Sequence, residues 1–93
     1  MCIRDSILSR VAKGYGPVRI SRELYERGIT GTLVTQVLAG MDLDWNERIQ
    51  AVRQKKFGRP APADFREQAR QSRFLLYRGF TSEQTRKVFN KSD

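Results

Sequence analysis

The sequence predicts an all-α fold: two tandem three-helix repeats, about six short helices in a slightly extended array. Glycines at 14, 28, 40, 58 and 79 each follow a stretch of helical hydrophobic period. The residue after a helix often takes a left-handed conformation, which glycine adopts at least cost. Setting Arg27-Gly28-Ile29-Thr30 over Arg78-Gly79-Phe80-Thr81 aligns Leu24 with Leu75, Val37 with Val88 and Leu38 with Phe89 at a constant offset of 51 residues. Such an offset marks an internal repeat. The unit is three helices, of which the second ends in glycine and the third opens on threonine.

The first helix is expected from Ser6 to Lys13, with Ile7, Leu8 and Val11 on one stripe. The second starts at Pro17, whose missing N–H is harmless at a first helical position, and turns Ile20 and Leu24 inward. Thr30 is the N-cap of the third, which is expected to bury Leu33, Val34, Val37 and Leu38, with Ile29 closing on Val34 as a hydrophobic staple. Asp44 caps the fourth, where Glu47 stands in position to reach back to the cap and Trp45, Ile49 and Val52 recur at helical spacing. The loop from Gly58 to Pro62 marks a bend. A fifth helix runs from about Ala63 to Arg78 on a core stripe of Phe65, Ala69, Ser72 and Leu76. The sixth follows Thr81, which forms a capping box with Gln84, and buries Val88 and Phe89.

Composition narrows the function. The 93 residues hold 18 Lys and Arg against 10 Asp and Glu, a net charge of +8. Through Trp45 six basic residues face five acidic ones, a net of +1; from Asn46 onward twelve face five, a net of +7. The excess in the second half suits an anionic partner, or a solvated surface of ordinary excess charge. There is no histidine, and Cys2 is the single cysteine. Zinc sites, haem attachment, disulfides and Cys/His nucleophilic pairs are thereby excluded, and a reducing cytoplasm is the expected setting. No apolar run exceeds the four residues from Phe74 to Tyr77, so no membrane span is expected. No pair of carboxylates, no serine beside a base and no cluster of oxygen ligands falls at a spacing that supports chemistry. The chain reads as a binding module with no catalytic residue, metal, cofactor or small-molecule substrate.

Two surfaces stand out. Gly14-Tyr15-Gly16-Pro17 leads into a helix N-terminus, where free N–H groups can hold a phosphate. No Lys-Ser or Lys-Thr pair follows and no strand precedes, so a plain interhelical turn, with Tyr15 in the core, is the expected reading. On the second helix Arg19 faces Glu23 and Arg22 faces Glu26, the pattern of a solvated face. On the fifth, Arg66, Arg70 and Arg73 share a stripe with Tyr77 without acidic partners in step, and Phe74 falls nearly opposite the expected core face. The neighbour that such a Phe asks for is the adjoining repeat, or else a partner protein or nucleobase. Lys55, Lys56, Arg59 and Arg78 extend the patch.

Lys13-Gly14-Tyr15-Gly16-Pro17-Val18-Arg19-Ile20, then Glu23-Leu24 and Arg27-Gly28-Ile29, closely resemble blocks of the bacterial RecX regulatory proteins. Asp44-Trp45, Lys56-Phe57-Gly58 and Arg73-Phe74-Leu75-Leu76-Tyr77-Arg78-Gly79-Phe80 resemble the family's later blocks in the same order, so the resemblance runs from about Ile7 to Asn90. It implies a modulator of the RecA recombinase, built from three-helix repeats that lodge in the groove of the RecA filament on single-stranded DNA. Such a protein restrains the filament's ATP hydrolysis and strand exchange, and so tempers DNA repair, recombination and the SOS response. The family usually carries three repeats, of which this chain shows the last two: 7–43 and 44–93, preceded by an unmatched segment, 1–6. The expected partner-binding residues are Lys13, Arg19, Arg22, Arg66, Arg70, Arg73, Phe74, Tyr77 and Arg78. The rival expectation is a small helix-turn-helix-like DNA-binding module. Against it, the third helix opens Gly31-Thr32-Leu33 and the sixth Ser82-Glu83-Gln84, poor starts for reading bases.

Overall fold

Six helices carry the chain in a computed structural model that describes residues 2–89. They are α1 (Ile3–Ala12), α2 (Pro17–Glu26), α3 (Gly31–Gly40), α4 (Trp45–Phe57), α5 (Phe65–Tyr77) and α6 (Ser82–Phe89), with no strand among the described residues. Met1 and residues 90–93, at the outer ends of the expected segments, lie outside that range.

Local chemistry sets the starts. The Thr30 hydroxyl accepts from Leu33 N–H at 3.3 Å, the Asp44 carboxylate from Glu47 N–H at 3.2 Å and the Asp64 carboxylate from Glu67 N–H at 2.9 Å. Each satisfies one of the donors that a helix start leaves open. Thr81 and Gln84 form the expected box in both directions, at 3.0 Å each way. For Asp44 only the forward bond forms; among the described residues Glu47 makes no return bond.

The elements pack as two groups of three. Ile7, Val11, Ile20, Leu24, Val34 and Met41 close the first core, with Tyr15, Ile29, Val37 and Leu38 packed against it. Ile49, Leu75, Phe80 and Val88 close the second, with Val52, Phe74 and Phe89 beside it. Trp45 belongs to both, meeting Phe80 edge to face at a centroid distance of 6.3 Å. Burying a side chain the size of Ile20 or Leu75 contributes about 1.5–3 kcal/mol. The radius of gyration is 14.1 Å, with extents of 43 × 24 × 20 Å. A spherical domain of this length has about 12 Å, so the two groups lie end to end.

The repeat is visible in the backbone. Ile29 N–H bonds to Leu24 O and Gly28 N–H to Tyr25 O; 51 residues on, Phe80 N–H bonds to Leu75 O and Gly79 N–H to Leu76 O. Both glycines have positive φ, +94° and +102°. This pair of bonds ends a helix in a Schellman-type turn.

The structure corrects several expectations. Helix α1 starts at Ile3 and not at Ser6, and Ile3 packs on the first core. Leu8 and Leu33, expected inside, are exposed. Gly40 is the last residue of α3, not the residue after it. The largest correction concerns α5. Phe65 is 81% exposed and Leu76 is exposed, whereas Gln71, at 3%, and Leu75 are buried. The reason is Arg53, 6% exposed, whose Nη1 donates to Gln71 Oε1 at 3.2 Å. A buried guanidinium must find acceptors, so the helix turns the amide of Gln71 inward and carries Phe65 out. Arg53 also donates to the carbonyls of Pro60 and Arg59, at 3.4 and 3.3 Å, which holds the α4–α5 bend against α4.

Candidate partner-binding surface

The site lies at the seam between the two groups. There the α1–α2 turn is docked on the α5–α6 turn: Gly16 N–H donates to Arg78 O and Val18 N–H to Gly79 O, both at 2.9 Å. The donors at the start of α2 are therefore spoken for. The Gly14-to-Pro17 segment is an interhelical turn, as expected, with Tyr15 packed on the first core.

Arg78 ties the seam from the other side. Its Nε donates to Gly14 O at 3.3 Å and its terminal nitrogen to Lys13 O. Its guanidinium lies 4.7 Å from the Tyr15 ring centroid and 5.9 Å from that of Phe74. Arg19 covers Tyr15 at 3.9 Å, Lys56 approaches Phe74 at 5.4 Å, and Phe74 meets Phe57 edge to face at 5.4 Å with Arg70 5.1 Å from Phe57. Cations and rings thus interleave across the junction in one continuous chain. Each such contact contributes about 0.5–1 kcal/mol at an exposed site.

Beside this chain runs a groove of about 460 Å³, lined by Lys13 and Gly14 of the first group and by Arg48, Val52, Lys55, Lys56, Phe74 and Arg78 of the second. Five cations line it and no carboxylate does. Like charges so gathered raise the local positive potential and attract an anion.

Among the described residues, two carboxylates that meet arginines of this chain are each held by more than one donor. Glu23 accepts from Arg10 and Arg19 at 2.9 Å each. Those two hydrogen bonds, Arg19's first, lower its pKa, and the bond to Glu23 raises that of Arg19. Glu67 accepts from Arg70 at 2.7 and 3.0 Å and from Gln71 at 3.0 Å, which holds its carboxyl down to about 2, with Arg70 the main cause.

The nine residues singled out from sequence fall into three sets. Arg19, Arg70, Phe74 and Arg78 belong to the alternating chain. Lys13 lines the groove, and Tyr77, 74% exposed, stands on the outer face of α5. Arg22, Arg66 and Arg73 are exposed and have no acidic partner among the described residues. Three expectations fail. Arg70 does have an acid in step, three residues back, and Arg22 forms no ion pair with Glu26. Phe74 points not outward but onto α4, because the turn of α5 toward Arg53 swings it against Phe57. Sequence reading missed Arg48, Val52 and Phe57. Arg48, Val52, Lys55 and Lys56 fall on one face of α4 by helical spacing, a signal present in the sequence; Phe57 lies off that face and carries no such signal.

Among the described residues no group of metal-ligating side chains occurs, and no helix is long and apolar enough to cross a membrane. Residues 7–38 match the second three-helix domain of RecX, and residues 42–89 match the third. The regulatory protein RecX of Halorhodospira halophila is 44% identical over 87 residues, covering 94% of this chain and 54% of that protein. That of Serratia proteamaculans is 42% identical over 86 residues, 92% of this chain and 51% of that protein. That of Pseudomonas savastanoi pv. phaseolicola is 46% identical over 71 residues, 76% and 46%. The chain spans about half the length of the curated relatives it matches.

Proposed function

The chain belongs to the RecX family, and on that premise we propose that it regulates the RecA recombinase by binding the filament that RecA forms on single-stranded DNA. Binding there restrains the filament's ATP hydrolysis and strand exchange, and through them DNA repair, recombination and the SOS response. The protein acts in the cytoplasm and contributes no catalytic group; ATP is the partner's substrate.

One observation supports this reading above the others: the groove across the seam presents five cations and no carboxylate. A wall of that kind suits the anionic surface of a nucleoprotein complex. Its rigidity matters as much as its charge. Because Arg78 is bonded to the backbone of the first group at Lys13 and Gly14, the two walls of the groove are held against each other. The exposed Arg66, Arg73 and Tyr77 on α5 add contacts of the types that dominate interface energetics.

Competition among bare duplex, bare single strand and RecA-coated strand for the labelled chain tests this directly. Preference for the coated strand, with slowed DNA-dependent ATP hydrolysis by RecA, is expected. Preference for bare duplex would favour the helix-turn-helix reading instead.

A further inference from the structure

The second core differs from the first in its chemistry. The inward pair of α1, Ile7 and Val11, is matched on α4 by Ile49 and Arg53, and Gln71 and Thr85 stand 51 residues after Ile20 and Val34. Three inward positions that are aliphatic in the first group are thus polar in the second, and all three are buried. A three-helix group of this kind does not need them, since the first closes without them. Nor is the polar set complete in itself: among the described residues Thr85 Oγ1 has no hydrogen-bond partner.

Arg53 is a buried cation without a counter-ion. Its N–H groups go to neutral acceptors, the carbonyls of Arg59 and Pro60 and the amide of Gln71, and it forms no ion pair among the described residues. Glu67 is linked to it only through Gln71 and is held by Arg70. Neutral acceptors satisfy N–H groups but leave the charge itself uncompensated, which is costly away from water.

Arg53 lines a cavity of about 780 Å³ between the α4–α5 bend and the end of α6. Arg59 and Lys87 line it as well, with the amides of Gln54 and Gln68 and the ring of Phe89, and among the described residues no carboxylate does. Lys87 approaches Glu83 only at 3.9 Å on an exposed face, a contact too weak to neutralise it. No lining residue is shared with the groove at the seam.

We propose that this cavity binds a phosphate group as the counter-ion of Arg53, with Arg59 and Lys87 as its further ligands. The planar guanidinium matches phosphate in charge and in hydrogen-bond geometry. Three cations suit a dianion better than a singly charged carboxylate, and the Gln54 and Gln68 amides add donors. The cavity exceeds a bare phosphate in volume, and Phe89 offers a ring to the molecule that carries the group. The inference is independent of any action on RecA.

Titrating the protein with inorganic phosphate, against chloride at matched ionic strength, tests the site by NMR of the arginine Nε–H groups and backbone amides. A saturable shift of the Arg53 Nε–H signal is expected, with shifts at Arg59 and Lys87 and none at Lys13 or Lys56. Arg59→Ala with Lys87→Ala, both exposed, should weaken binding about tenfold and leave the melting temperature nearly unchanged. Arg53→Met with Gln71→Leu, which keeps the core filled, should abolish the shifts; the exposed pair decides the matter if that variant does not fold. Adenosine monophosphate and a thymidylate single strand, titrated in the same way, identify the carrier. Tighter binding of the mononucleotide, with shifts at Phe89, marks a small phosphorylated ligand; tighter binding of the strand at the same residues marks a nucleic-acid backbone; no gain from either marks free phosphate. Shifts that never saturate, that centre on the seam, or that persist unchanged in Arg59→Ala with Lys87→Ala would overturn the proposal.

Discussion

Gly16 and Gly79 meet backbone to backbone: a Cβ on Gly16 would lie 2.5 Å from the carbonyl carbon of Gly79 and from Phe80 N. The two turns approach so closely because neither carries a side chain at the crossing, and the reward is the pair of 2.9 Å hydrogen bonds that join the groups. Gly79→Ala should therefore destabilise by about 3 kcal/mol, since the left-handed backbone penalty adds to a backbone clash. Gly28→Ala, which meets open space, should cost only about 1 kcal/mol. Urea unfolding of the two variants measures the difference, and equal losses would mean that the seam contributes nothing.

The buried pair Arg53 and Gln71 gives a second prediction. Replacing Gln71 with Leu leaves a guanidinium with only the two bend carbonyls, and should cost about 1–3 kcal/mol. Replacing Arg53 with Met as well removes the group that needs acceptors, and should recover much of that loss. A double-mutant cycle by chemical denaturation checks both steps; strictly additive losses would show that the two side chains are not coupled.

That pair also explains what the sequence made legible and what it did not. Helix ends are written locally, so Gly28, Gly79, Thr30 and Thr81 could be read one by one, and the 51-residue register confirmed them against each other. The rotation of α5 is not local. It depends on Arg53, eighteen residues back, needing an amide inside the core, which reverses the usual assignment of Gln71 to the surface and Phe65 to the interior. The alignment of Leu75 with Leu24 already held the right answer, because equivalent positions of a repeat face equivalent cores. Part of the site was legible as charge, but its interleaving of rings and cations was not, since Tyr15 meets Arg78 only across the seam and Phe57 meets Phe74 only where α4 packs on α5.

Acid should loosen the second group through Glu67. Its carboxyl is held down to about 2 by Arg70 and Gln71 against an ordinary value of 4.5, so it binds its proton more readily when unfolded. The sign follows: its contribution to stability is complete above about pH 4.5 and is lost as pH falls toward about 2. Glu23, whose pKa is also lowered, acts in the same direction. Thermal melts of the protein and of Glu67→Gln should differ at neutral pH and converge toward pH 2; a constant separation would rule out this linkage.

On α5, the arginines should no longer be treated alike. Arg66 and Arg73 have no acidic partner, whereas Arg70 is held by Glu67 and rests on Phe57. Arg66→Ala with Arg73→Ala should weaken binding to RecA-coated single-stranded DNA more than Arg70→Ala does, and should leave the melting temperature nearly unchanged. Arg70→Ala should lower the melting temperature while moving affinity less. Fluorescence anisotropy and thermal melts on the same samples separate the two effects.

The cationic seam is tested most directly by the salt dependence of affinity for RecA-coated single-stranded DNA, measured for the unaltered protein, for the triple variant Arg48→Ala, Lys55→Ala, Lys56→Ala, and for the distant control Arg4→Ala. If the groove faces the anionic partner, the triple variant binds more weakly and its plot of log affinity against log salt is shallower by about 2 to 3, near one unit for each lost contact, while the control keeps the full slope. Identical slopes for all three proteins would contradict a polyanion in that groove.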